Sequence, residues 1–214
     1  PAAEQIEKTG TGIKFSFHGN HYELPLFGRH NAENAVAALS LIDAAIPNAP
    51  YDVCYGALKL FPGIRRRMQR HGRGAVPVFD DYAHNPEKIV AAIRALQERY
   101  ERVCIIFQPH GYGPLRFHLD GFAQAFDEVL RPDDRLFLLP VYDAGGSADR
   151  SITTKQLTEK IMHLQTIYVQ TRRAILEILQ TACQPSDAIL ITGARDDTLA
   201  AFAEETANMV DKLV

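Results

Sequence analysis

The chain has 214 residues, of which 46% are hydrophobic and 23% charged, and its formal net charge is −3 at pH 7. These values are ordinary for a globular protein with room for one large domain, or for one domain and a fragment. The charge argues against an obligate nucleic-acid partner, because no excess of cations is present to neutralise phosphates. No apolar run of about 18 residues occurs, so the sequence predicts neither a membrane-spanning helix nor a membrane partner.

The cysteines and the N-terminal residues indicate in which cellular compartment the protein is expected. Cys54, Cys104 and Cys183 are scattered, odd in number and set in apolar surroundings, which is typical of reduced thiols in a cytoplasmic protein. The first residues lack the basic start and apolar core of a signal peptide. They also lack an initiating Met, so we expect a cytoplasmic protein of which this chain is a piece.

The first part of the chain predicts a β-hairpin followed by two helices. Residues 13–17 alternate apolar and polar, Gly19-Asn20 favours a turn, and residues 21–26 resume the pattern. An Ala-rich helix is predicted over about Ala32–Ala45, ended by Pro47, and a second over about Tyr51–Leu60.

From residue 75 onwards, apolar strands alternate with amphipathic helices. The predicted strands are Pro77–Phe79, Val103–Phe107, Leu136–Val141, Ile167–Val169 and Ala188–Ile191. The predicted helices are Pro86–Tyr100, His118–Leu130, Thr154–Leu164, Arg172–Ala182 and Asp197–Leu213. This alternation predicts an α/β fold with a Rossmann-like, mainly parallel sheet covered by helices on both faces. The composition changes over Phe61–Gly74, so we place the boundary between two domains, residues 1–61 and 62–214, at its start.

The stretch from Val78 to Pro86 joins a buried strand to a helix through a polar turn. Asn85 is a predicted N-cap, and Pro86 occupies the first helical position, where its missing N–H is tolerated. Such junctions commonly hold ligands in α/β sheets, because helix N-termini offer free N–H groups to anions. A surface loop with a solvated histidine is the alternative interpretation.

Chemistry-capable residues follow four of the predicted strands. They are Asp80–His84, Gln108–Pro114, Tyr142–Gly146 and Thr192–Asp197. Since the carboxyl ends of parallel strands share one edge, this pattern indicates a polar ligand carrying hydroxyl, phosphate or carboxylate groups. The glycines can also serve only tight turns, His110 can be a loop histidine, and Asp196 or Asp197 is expected to cap the last helix.

Several nucleotide and catalytic motifs are absent from the sequence. It contains no G-x-x-x-x-G-K-[ST] phosphate loop, no G-x-G-x-x-G at a strand–helix junction and no G-x-S-x-G elbow. It also has no paired Cys/His set with zinc spacing. These residues alone therefore do not encode a complete nucleotide-driven enzyme.

Four motifs, taken together, resemble those of the Mur ligase family in order and spacing. They are Gly28-Arg29-His30-Asn31-Ala32-Glu33-Asn34-Ala35, Phe61-Pro62-Gly63-Ile64-Arg65-Arg66-Arg67, Asp80-Asp81-Tyr82-Ala83-His84-Asn85-Pro86 and Phe107-Gln108-Pro109-His110. The resemblance implies an ATP-dependent amide-forming enzyme of peptidoglycan precursor synthesis, with three domains. Residues 1–61 would be the end of the central ATP-binding domain and residues 62–214 the C-terminal domain. The phosphate loop and the main Mg²⁺ ligands would lie upstream.

The resemblance also implies roles at the nucleotide. Asn31 and Asn34 match positions that contact adenine. Arg67, with Arg66 as the second choice, matches the arginine that reaches the ATP phosphates. Asp81 matches the carboxylate that binds the ribose hydroxyls.

At the acceptor, Tyr82, His84 and His110 match positions around the incoming amino acid, and either histidine could help to remove the amine proton. The Gln-Pro-His run and the stretch Leu139–Gly146 favour the members that add L-alanine to UDP-N-acetylmuramate. Gly111 and Pro114, however, stand where those members carry arginines, so Arg116 is a candidate replacement.

The acceptor therefore stays open. A recycling ligase that attaches a preformed peptide to UDP-N-acetylmuramate is one alternative, and a non-catalytic α/β binding module is another. Gln69 is a second and milder departure from the family pattern. It stands where an acidic residue normally follows the arginine pair.

Overall fold

The computed structural model describes residues 2–10, 12–46 and 48–212, which form two compact units, Pro1–Arg65 and Arg66–Val214. The first unit contains an antiparallel sheet of three strands in the order β1 (Glu4–Lys8), β2 (Ile13–Phe17) and β3 (Asn20–Leu24). His18 and Gly19, both with positive φ, form the two-residue turn between β2 and β3. The hairpin was predicted, but with its turn one residue later, at Gly19-Asn20. β1 was not predicted, because it is polar and mostly exposed, as edge strands often are.

Two helices follow in the first unit, α1 (Arg29–Ala45) and α2 (Tyr51–Lys59). The buried face of α1 carries small and aliphatic side chains, which form one core with the apolar face of β2: Ala32, Ala35, Val36, Leu39, Ile13, Phe15 and Phe17. The helix ends at Ala45, whereas Pro47, predicted to end it, lies outside the described residues.

The second unit is built on a six-stranded sheet. Its strands are β4 (Gln69–His71), β5 (Val78–Asp81), β6 (Arg102–Phe107), β7 (Arg135–Leu138), β8 (Thr166–Tyr168) and β9 (Asp187–Thr192). Their order is β4-β5-β9-β6-β7-β8, and all neighbours are parallel except β4 and β5. The helices are α3 (Pro86–Gln97), α4 (Tyr112–Phe117), α5 (Leu119–Val129), α6 (Thr154–Lys160), α7 (Arg172–Ala182) and α8 (Thr198–Val210).

Helices cover both faces of this sheet. Phe107 of β6 places its ring 5.1 Å from that of Phe122 in α5. Its neighbour Ile106 lies in a different cluster, with Leu179 of α7 and Phe202 of α8. Because successive strand residues point to opposite faces, α5 and the pair α7 and α8 lie on opposite sides. The predicted α/β class with a mainly parallel, helix-covered sheet is confirmed.

Several element boundaries differ from prediction: α3, for example, ends at Gln97 and not at Tyr100. Two other differences have local reasons. β7 ends at Leu138 instead of Val141, because Pro140 has no N–H to continue the ladder. α6 ends at Lys160, because the carboxylate of Asp127 accepts the backbone N–H groups of Met162 and His163 and fixes a loop there. The last helix was predicted to reach Leu213 but ends at Val210, and Asp211 and Lys212 form a turn.

Candidate functional site

The four polar segments that follow β5, β6, β7 and β9 are joined by backbone hydrogen bonds at one edge of the sheet. Gln108 N–H donates to the Thr192 carbonyl over 3.0 Å, and Tyr142 N–H donates to that of Pro109 over 2.8 Å. Gly193 N–H donates to the Asp81 carbonyl over 3.4 Å. Their side chains therefore share one edge, where ligands bind in open α/β sheets.

A buried ion pair lies beneath this edge. Arg66 Nε is 3.2 Å from Asp80 Oδ2, and the Asp80 side chain is fully buried. Arg66 Nη2 donates to the Gly193 carbonyl over 2.8 Å, and its Cζ lies 4.9 Å from the ring centre of Tyr82. Burial raises the pKa of Asp80, and the charge of Arg66 partly offsets that effect. Arg66 thus holds β5, the β9 turn and Tyr82 together, although its Nη1 has no hydrogen-bond partner within the described residues.

Arg67 differs from Arg66 in its exposure to solvent. Arg66 and Met68 both have positive φ, at 56° and 47°, so the chain turns sharply on either side of Arg67. The Met68 N–H donates to Asp81 Oδ2 over 2.7 Å and fixes the second turn. Arg67 is exposed, with its Cζ 5.8 Å from the Tyr82 ring centre. Of the two arginines, Arg67 is therefore the one available to a ligand in solution.

Asp81 serves the local backbone in this structure. Its Oδ2 accepts from Met68, its Oδ1 accepts from the N–H of Ala83 over 2.8 Å, and only 7% of the residue is exposed. Each carboxylate oxygen has two lone pairs and can accept more than one hydrogen bond.

Two histidines meet on the exposed side of the edge. The rings of His84 and His110 are 5.0 Å apart, and that of Tyr82 is 5.7 Å from His84. His84 Nδ1 lies 2.8 Å from the Tyr82 carbonyl, which only accepts. Nδ1 therefore carries a proton, and in the neutral ring Nε2 keeps its lone pair. Burial, followed by the nearby charges of His84 and Arg195, lowers the pKa of His110 to about 4.

We expect His110 to be neutral at pH 7 and to titrate near pH 4, as followed by the NMR shift of its ring protons. The unfolded chain takes up this proton near pH 6.5 and the folded protein only near pH 4, so stability should fall as pH drops through that window. His110→Gln should lose less stability between pH 6.5 and 4. An NMR midpoint near 6.5 in the wild type would contradict this prediction.

The segment that follows a fifth strand, β8, also contributes a residue to this edge, which the sequence did not predict. Arg172, the first residue of α7, donates to Gln108 Oε1 over 2.8 Å and forms an ion pair with Asp196. Asp196 also accepts the N–H of Thr198 over 3.0 Å, whereas the Asp197 side chain makes no cap bond. The cap function expected of Asp196 or Asp197 thus falls to Asp196. An arginine just after the strand-like residues 167–169 was the available signal for this network.

The remaining candidates make contacts of their own. Arg116 of α4 is exposed and pairs with Asp149 over 2.9 Å. In the first unit, the side-chain N–H of Asn31 donates to the Phe27 carbonyl over 2.7 Å, and Asn34 is exposed on the face of α1 opposite the core.

The described residues contain no group of three His, Cys, Asp or Glu side chains that could hold a metal ion. Across the same ranges, no helix is both long and apolar enough to cross a membrane.

Most of the second unit matches a known protein family. Residues 66–195 match the family model described as "Mur ligase, glutamate ligase domain". The chain therefore belongs to the Mur ligase family.

Two relatives and one solved structure to which the chain is similar carry the same kind of name. The chain is 33% identical over 207 residues to the UDP-N-acetylmuramate–L-alanine ligase of Anaeromyxobacter sp., a match that covers 92% of this chain and 44% of that protein. It is 34% identical over 189 residues to the Thermobifida fusca enzyme of the same name, covering 83% of the chain and 39% of the relative. The crystal structure of a UDP-N-acetylmuramate–alanine ligase from Thermotoga maritima superposes with a TM-score of 0.69 at 22% identity, covering 97% of this chain and 45% of that one. The chain spans less than half the length of each.

Proposed function

We propose that this chain is the C-terminal part of an ATP-dependent ligase that joins an amino acid, L-alanine, to the carboxylate of UDP-N-acetylmuramate. Residues 1–61 would be the end of the central ATP-binding domain and residues 62–214 the acceptor domain, in a cytoplasmic enzyme. Identity of 33–34% to two such ligases supports this reaction. The geometric support is the edge where Arg67, Tyr82, His84 and His110 come together.

At the nucleotide, we assign the phosphates to Arg67 and not to Arg66. An exposed, permanently charged fork can pair with phosphate oxygens, whereas Arg66 already pairs with a buried carboxylate. Asp81 would accept a ribose hydroxyl, and Asn31 and Asn34 would contact the adenine edge. ATP supplies the phosphoryl group that activates the sugar-linked carboxylate. As the resemblance to the Mur ligases implies, we expect the Mg²⁺ ligands in the upstream part of the enzyme.

At the acceptor, Tyr82, His84 and His110 would surround the amine that attacks the activated carboxylate. Because the pKa of His110 is about 4, its ring is neutral at pH 7 and does not repel a cationic amine. In the neutral ring of His84, Nε2 carries the lone pair and can accept a proton as the amine attacks. Arg116, the charged side chain of α4 closest in sequence to Gly111 and Pro114, is a candidate for the acceptor carboxylate.

The same two positions favour a second candidate function. Gly111 and Pro114 provide no guanidinium group for an amino acid's carboxylate, which suits a ligase that attaches a preformed peptide. A binding module without catalysis would also tolerate these residues.

An acceptor panel with the full-length protein tests these possibilities. We expect ATP-dependent phosphate release that requires UDP-N-acetylmuramate and is fastest with L-alanine, compared with glycine, L-serine and a tripeptide. The isolated 214-residue chain should release no phosphate, because its sequence has no phosphate loop. A response to the tripeptide alone would establish the recycling ligase. No response to any acceptor would favour the binding module.

A further inference from the structure

The loop that follows β7 reaches α4 through two arginines. Arg116 of α4 pairs with Asp149 of the loop over 2.9 Å. Arg150 of the loop pairs with Asp143 over 2.7 Å, and its Cζ lies 5.7 Å from the ring centre of Tyr112 in α4. Both guanidinium groups therefore lie beside the α4 segment that begins just after His110.

The two arginines hold their carboxylates differently. Arg150 Nε donates to Asp143 Oδ2 over 2.7 Å and its Nη2 donates to Oδ1 over 3.1 Å, so both carboxylate oxygens are engaged by one planar fork. The same guanidinium group is also within cation–π distance of the Tyr112 ring. Arg116 uses its Nη2 for Asp149 and for the hydroxyl of Ser151. Of these two arginines, Arg150 shows the bidentate geometry by which arginine recognises carboxylates.

The position of this fork suits a ligand at the histidine edge. Tyr112 is two residues after His110, and the backbone N–H of Tyr142, the residue before Asp143, donates to the Pro109 carbonyl over 2.8 Å. The carboxylate held by Arg150 thus belongs to a segment bonded directly to the one that carries His110. An amino acid whose amine lay at the histidines would need a cation for its carboxylate in this neighbourhood.

The carboxylate of Asp143 can be replaced on Arg150 by the carboxylate of a ligand. The side chains are 46% and 39% exposed, and solvent screens such a pair, so its separation costs little. Asp143 is ionised at neutral pH, since the hydrogen bond from Arg150 holds the pKa of Asp143 below its usual range. A ligand carboxylate would therefore replace one anion by another without leaving the guanidinium unpaired.

We propose that Arg150 binds the carboxylate of the acceptor amino acid and that Asp143 occupies this site when the acceptor is absent. The inference deepens the proposed function and rests on it. It assigns to Arg150 the recognition that Gly111 and Pro114 do not provide, and it makes Asp143 an internal competitor of the substrate.

The two partners should respond in opposite directions when substituted in the full-length protein. Arg150→Gln should raise the KM for L-alanine about 10- to 100-fold and leave the KM for ATP unchanged, because a charge-assisted bidentate contact is lost. Asp143→Asn should lower the KM for L-alanine several-fold, since the competitor loses its charge but can still accept the N–H of Gly145. Arg173→Gln, which removes an exposed guanidinium of α7 paired with Glu177, is the matched control and should change neither constant.

If the Arg150–Asp143 pair were only structural, both Arg150→Gln and Asp143→Asn would impair the enzyme. That outcome would overturn the inference, and so would an unchanged KM for L-alanine in both variants. Calorimetry with L-alanine and L-alaninamide on the same proteins separates this result from the proposed function. The wild type should prefer the free carboxylate, and Arg150→Gln should lose that preference even if no amide is formed. Absence of amide formation with every acceptor would count against the proposed function alone. Equal binding of both probes by the wild type would refute the carboxylate site.

Discussion

Replacing Arg66 by methionine should destabilise the Arg66–Val214 unit by about 3–5 kcal/mol, because it leaves the fully buried Asp80 carboxylate without its cation. The chain contains no tryptophan, so urea unfolding is best followed by circular dichroism. The matched control is Arg67→Met, one residue away, which should change the free energy of unfolding by less than about 0.5 kcal/mol, since Arg67 is exposed. Equal losses in the two variants would contradict the different burial of these arginines.

The pH dependence of the Arg66→Met variant provides a second check. Burial already raises the pKa of Asp80, and removal of Arg66 takes away the charge that opposes this shift. A carboxyl whose folded pKa lies above its unfolded value contributes stability at low pH and loses it as pH rises through the folded value. The deficit of the variant should therefore shrink as the pH is lowered from 7 towards 4. Arg66→Met combined with Asp80→Leu should recover much of the stability at pH 7.

The second large effect is expected on activity. In the full-length protein, Arg67→Ala should lower kcat/KM for ATP about 100- to 1000-fold, the usual effect of removing a charged donor from a developing phosphate charge. Its stability should stay within about 0.5 kcal/mol of the wild type. Arg67→Lys should retain part of the activity, because it keeps the charge and loses the planar fork. The measurement is steady-state phosphate release with varied ATP. Unchanged kinetics in Arg67→Ala would remove Arg67 from the ATP site.

The sequence was a good guide wherever local signals agreed with the fold. Asn85 does cap α3 by accepting the N–H of Lys88, and Pro86 does occupy the first helical turn. The bounds of α7 were predicted to the residue, because its apolar spacing and its Thr171 cap agree. Buried parallel strands were also found, since their apolar runs are bounded by turn residues.

The elements that escaped prediction lack such signals. β4 has three polar residues and exists only because it pairs with β5, at the sheet edge. α4 contains Gly113 and Pro114, which are poor helix formers, so its sequence favoured a loop.

At the candidate site, residue types could be predicted but orientations could not. Nothing in an Arg-Arg-Arg run tells which guanidinium is buried; that is decided by positive φ at Arg66 and Met68 and by the carboxylate of Asp80. Arg150 was missed because it acts from a loop 38 positions after Tyr112, and only the fold brings them together. Such contacts depend on strand order, which periodicity does not encode.

The central claim is that this chain completes a ligase that forms an amide on UDP-N-acetylmuramate. Its most direct test is the mass of the product formed by the full-length protein from ATP, UDP-N-acetylmuramate and L-alanine. We predict a product heavier by one alanine less one water, formed together with one phosphate per amide and absent without ATP. If the folded full-length protein, incubated with ATP and each acceptor of the panel, left UDP-N-acetylmuramate unchanged, that result would contradict the claim.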